Sequence, residues 1–149
     1  MKLKLKHRPV ISPVEFAERL IDPETSAPFV LYPEQRRFLQ EAVRRDADGR
    51  LLYPLLIFSA PKKSGKTALD AMFHLYTICV LGGRFAEGEC FANDLEQSSG
   101  RVFQAIARIV SATPWLAREA NITNSKIPSS SPQASRTRVR RRLTDPAPG

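Results

Sequence analysis

Apolar residues recur at helical spacing in three stretches of this chain and run consecutively in two others. Phe38, Leu39, Ala42 and Val43 share one face of a helix that starts at Tyr32-Pro33-Glu34-Gln35, with Pro33 at its first position. The turn residues Asp46 to Gly49 end it. Leu69, Met72, Phe73, Tyr76 and Val80 predict a second amphipathic helix, opening near Lys66 and stopped by Gly82-Gly83. Val102, Phe103, Ile106, Ile109 and Val110 give the buried face of a third, for which Asp94 and Gln97 form a capping pair. Trp115 and Leu116 fall just past its end. Nearer the N-terminus, Ser12-Pro13-Val14-Glu15 predicts a short helix to about Leu20. Ser12 can cap it, Pro13 suits the first position, and Glu15 can close a capping box.

The first consecutive run, Leu55-Leu56-Ile57-Phe58, is bounded by Pro54 and by a polar loop after Ser59. Such a run predicts a strand buried on both faces, as in a parallel sheet. Glu89-Cys90-Phe91-Ala92 is the second candidate strand. The order strand, loop, helix, strand, helix predicts a parallel βαβ unit with a right-handed crossover. Beyond Asn124 the periodicity is lost. Ser129-Ser130-Ser131-Pro132 leads into an Arg-rich run with almost no large apolar residue, and this tail is expected to be disordered.

Composition narrows the class. With 149 residues, 42% of them apolar and 26% charged, the chain is sized for one domain with a core and not for a two-domain enzyme. It has no apolar run of about 18 residues, so no membrane span is expected. Met1 to Lys6 is basic but lacks a following apolar core, which excludes a secretory signal. Cys79 and Cys90 fit no zinc spacing and read as two small buried side chains in a reducing, cytosolic setting. The net charge of +8 suggests an anionic partner such as nucleic acid. Most of that charge lies in residues 125–149, where Lys126, Arg136, Arg138, Arg140, Arg141 and Arg142 face one acid, Asp145.

The most informative segment is Ala60-Pro61-Lys62-Lys63-Ser64-Gly65-Lys66-Thr67. A phosphate-binding loop needs inward backbone N–H groups, a helix N-terminus behind them, a lysine, and a hydroxyl for magnesium. Lys66 would reach the β- and γ-phosphates, Thr67 would ligate Mg²⁺, and Gly65 would admit the phosphates without a Cβ in the way. The usual pattern is G-x-x-x-x-G-K-S/T, and here Ala60 stands at the first glycine. Lys62 and Lys63 either add charge against the triphosphate, as an internal substitute for a trans-acting arginine, or raise the local potential.

That loop resembles the variant Walker A of tailed-phage terminase large subunits, where the first glycine is often replaced and basic residues come early. Leu31-Tyr32-Pro33-Glu34-Gln35-Arg36-Arg37-Phe38 is similar to the same family's adenine-recognition segment. Cys90-Phe91-Ala92-Asn93-Asp94-Leu95-Glu96-Gln97-Ser98 resembles the strand and helix start after its first crossover. The likeness covers roughly residues 10–124.

The resemblance implies an α/β, P-loop NTPase-type parallel sheet with flanking helices, present only as its N-terminal portion. Residues 1–30 would form an N-terminal helical segment, residues 31–124 a partial ATPase domain, and residues 125–149 the basic tail. It implies ATP and Mg²⁺ as cofactors, with residues 60–67, Gln35 and Tyr32 at the nucleotide and Thr67 at the metal. Gln35 would then read adenine, or else face solvent from its helix. Tyr32 would stack on the base, or staple the helix start. The implied partners are double-stranded phage DNA, the terminase small subunit and the portal protein, in the cytoplasm of a bacterial host. No apolar strand ending in Asp-Glu follows, and the acidic ligands of a nuclease domain are missing. The sequence therefore reads as a truncated ATPase-family product, inactive alone, with a frameshifted tail from about Lys126. The alternative from another class is a small basic nucleic-acid-binding protein that uses the Arg136–Arg142 cluster.

Overall fold

The computed structural model describes residues 11–82, 87–90, 101–126 and 135–141. Helices dominate: α1 (Pro13–Glu18), α2 (Pro33–Ala42), α3 (Lys66–Tyr76) with a π-helical turn at Thr77–Leu81, α4 (Val102–Ala112) and α5 (Pro114–Glu119). Local chemistry sets their starts. The Ser12 hydroxyl accepts the Glu15 N–H at 3.1 Å, and Pro13 occupies the first turn of α1. Pro33 opens α2 in the same way. At the end of α2, the Asp46 carboxylate accepts the N–H groups of Asp48 and Arg50, which holds the turn before Leu51.

The core lies where α3 packs against α1 and α4, with α5 packed on α4 and reaching α1 through Trp115. Leu69, Met72, Leu75 and Tyr76 of α3 meet Phe16 and Leu20 near α1, and Ile106, Ile109 and Val110 of α4. Phe16 stands edge-on to both Tyr76 and Trp115, with ring centroids 5.5 and 5.8 Å apart. Two polar groups at the core are paired. The Tyr76 hydroxyl donates to the Ile11 carbonyl, and the Thr113 hydroxyl accepts the Ile21 N–H. An ion pair between Arg36 and Glu18 ties α2 to α1.

The expected parallel sheet is not there. The helical body, residues 11–82 and 101–118, contains no strand and no sheet, only single bridges at Ile21–Pro28 and Arg45–Leu51. Leu55-Leu56-Ile57-Phe58 forms no helix or strand and pairs with no strand among the described residues. The physical reason is one-sided support. Phe58 turns inward against Phe38, centroids 4.9 Å apart, while Leu55 and Ile57 remain 75% and 80% exposed. A strand buried on both faces needs paired neighbours and two covering layers, and this segment has one.

Where strands do pair, they run antiparallel. β1 (Glu87–Cys90), β2 (Ala120–Lys126) and β3 (Ser135–Arg141) form a three-stranded ribbon in the order β1-β3-β2. Glu87 pairs with Arg140, and Ala120 with Arg141. The anticipated right-handed βαβ crossover is therefore corrected: the partner of β1 is β3, from the basic tail, and not the run at residues 55–58. Gly88 lets this ribbon approach α3, since a Cβ there would come 2.6 Å from Ile78 Cδ1 and overlap the His74 ring. The capping pair Asp94 and Gln97, the residues Phe91 and Ala92, and Arg142 lie outside the described residues. Among the described residues no helix is long and apolar enough to cross a membrane.

Candidate functional site

The loop from Ala60 to Thr67 leads straight into α3, as the sequence pattern anticipated. Gly65 is the residue before the helix, at φ 77°, and no side chain caps this N-terminus. The first N–H groups of the helix are thus left to an outside acceptor, and the helix dipole favours an anion there. Lys63 also has a positive φ of 67°, so two left-handed residues shape the loop. Gly65 has a second constraint: a Cβ would sit 3.3 Å from Gln35 Nε2.

Gln35 does not face solvent, the alternative the sequence left open. It is 6% exposed and spends both ends of its amide inside the chain. Its Oε1 accepts the Tyr32 N–H at 3.0 Å, and its Nε2 donates to the Ser64 carbonyl at 3.2 Å. The side chain therefore braces the loop from α2. Tyr32 is 66% exposed and stands at the edge of the same cleft. Lys66 is turned back on its own loop. Its Nζ donates to the Ala60 carbonyl and, at 2.7 Å, to the Pro61 carbonyl. An ammonium has three protons, so one remains for a ligand.

Two clefts meet at this loop. The larger, about 1300 Å³, is bounded by the loop, by Tyr32 and Gln35, and by the exposed face of α4. Five cations line it, Lys62, Lys63, Lys66, Arg101 and Arg108, against the carboxylates of Asp22 and Glu24. Arg101 and Arg108 were not singled out from sequence. The signal was present: Arg101, Gln104 and Arg108 recur at helical spacing opposite the apolar face of α4. What the pattern could not supply was the docking of α4 across from the loop. The smaller cleft, about 420 Å³, lies on the other side of Lys66 and Thr67 and is otherwise mostly apolar, with Phe38, Phe58 and Phe73 in its wall.

Asp70 opens on this smaller cleft. Desolvation raises its pKa from the ordinary carboxylate value, and His74, one turn on, pulls it partly back. Burial lowers the pKa of His74, opposed by Asp70 and by the Gly88 backbone. Neither residue had been assigned a site role from sequence.

Residues 62–67, Gln35 and Tyr32 thus come together around one cleft, Ala60 and Pro61 lie outside its lining, and Thr67 lines both clefts. The cleft is large enough for a nucleotide, and its surplus of positive charge suits a triphosphate. Comparison with protein-family models, with curated proteins and with solved structures gives no match.

Proposed function

We propose that this chain binds a nucleoside triphosphate, with the phosphates on the loop Ala60–Thr67 and the base toward Tyr32. The observation that carries the reading is the uncapped, glycine-led N-terminus of α3, which opens on a cleft with five cations. Backbone N–H groups and the free proton of Lys66 would hold the β- and γ-phosphates, and Arg101 and Arg108 would face them from α4. The three segments that resemble terminase large subunits support the narrower reading, with ATP as the nucleotide and a motor of viral DNA packaging as the setting. On that reading the chain works in a bacterial host's cytoplasm with double-stranded phage DNA, the terminase small subunit and the portal protein.

The proposal is tested by equilibrium binding of labelled ATP to the wild-type chain and to Lys66→Ala. Wild-type binding at micromolar to millimolar concentration, lost in Lys66→Ala, is the expected result. Wild-type binding that Lys66→Ala leaves unchanged would refute the assignment of the loop.

A further inference from the structure

We propose that Asp70, together with the Thr67 hydroxyl, holds a divalent cation such as Mg²⁺ at the wall between the two clefts, its remaining ligands being nucleotide phosphate oxygens and water. The inference rests on reading the loop as a triphosphate site. Lys66 and Thr67 line both clefts, whereas Asp70 lines only the smaller, so the cation would sit where the two spaces adjoin. Thr67 and Asp70 are three residues apart in α3, which puts them on one face about a turn apart.

The Asp70 carboxylate is accessible to solvent, and among the described residues it makes no ion pair or hydrogen bond. Leu69, Phe73 and Val102 beside it strip away part of its hydration, which makes an approaching cation a better partner for it than water alone. The donor count also fits. Among the described residues no group of three or more His, Cys, Asp or Glu comes together, so the protein alone offers too few ligands for a resident ion. Magnesium does not need such a cage. It keeps several waters and commonly takes one or two carboxylates plus substrate phosphates. The site is therefore composite, and cation and nucleotide bind together.

The test measures ATP affinity with and without MnCl₂ for the wild type, Asp70→Asn and Asp70→Glu, with Mn²⁺ followed by electron paramagnetic resonance. In the wild type Mn²⁺ tightens ATP binding, and bound Mn²⁺ appears only when ATP is present. Asp70→Asn loses on the order of tenfold or more of that tightening, while its metal-free ATP affinity stays the same or rises. Asp70→Glu recovers part of the metal effect. A full Mn²⁺ effect in Asp70→Asn overturns the role of Asp70 and leaves the phosphate reading intact. Absence of ATP binding in the wild type, with or without metal, overturns both.

Discussion

Gln35 joins α2 to the loop Ala60–Thr67 through two hydrogen bonds, and replacing it with Met isolates their contribution. Methionine keeps the length and apolar bulk of the side chain but can neither accept the Tyr32 N–H nor donate to the Ser64 carbonyl. Each bond contributes about 1 kcal/mol net, and the two backbone groups left unpaired in a half-buried setting add part of their desolvation cost. The expected loss is about 2–3 kcal/mol. For a chain of this size that lowers Tm by roughly 5–10 °C. Thermal unfolding followed by far-ultraviolet circular dichroism gives the shift, and amide hydrogen exchange shows whether residues 60–67 open faster. A Tm within about 2 °C of wild type, with loop exchange unchanged, would refute the bracing role. In that case a fall in preference for adenine over guanine nucleotides would mark Gln35 as a base reader instead.

Other perturbations follow from the same geometry. Gly65→Ala forces an L residue to φ 77° and sets its Cβ against Gln35 Nε2, and should cost about 1–2 kcal/mol in chemical denaturation. Ser12→Ala removes the cap on Glu15 N–H and should cost about 1 kcal/mol, read from the same denaturation midpoint. The folded state lowers the pKa of His74, so its stabilising contribution is present above the unfolded value near 6.5 and is lost as pH falls through the folded value. Asp70 has the opposite sign: its raised pKa gives stability near and below 3.8 that is lost as pH rises through the folded value. Asp70→Asn should therefore leave a steeper fall in Tm below pH 6.5, whereas His74→Gln should flatten it.

The helices were legible because their signals are local. Ser12, Pro13 and Pro33 mark starts within a few residues, and the stripes on α3 and α4 point to the core that Leu69, Met72, Ile106 and Ile109 form. The sheet was not legible. Strand pairing is decided by partners far along the chain, and Leu55–Phe58 carries the same apolar content whether paired or lying singly over Phe38. Within the basic tail, the described segment Ser135–Arg141 pairs through its backbone, which composition does not report. The place of the loop Ala60–Thr67 at the start of a helix was readable, since Gly65 and Lys66 fall where the apolar stripe of α3 begins. Its surroundings were not. The positions of Arg101, Arg108 and Asp70 depend on how α4 docks on α3, and the inward turn of Gln35 depends on where the loop passes.

The back-folded Lys66 would make capture of the proposed ligand an exchange and not an addition. Two of its protons are already committed to the Ala60 and Pro61 carbonyls, so the loop keeps its shape when empty. An incoming anion must outbid those carbonyl dipoles or settle for the third proton. A dilute monoanion such as chloride offers one weak contact and gains little from the swap. On the proposed reading a polyphosphate would engage the helix N-terminus and the α4 arginines at once, and that multiplicity would tip the exchange. On the proposed triphosphate reading, the intramolecular clasp would set a threshold of valence, below which simple anions leave the site unoccupied.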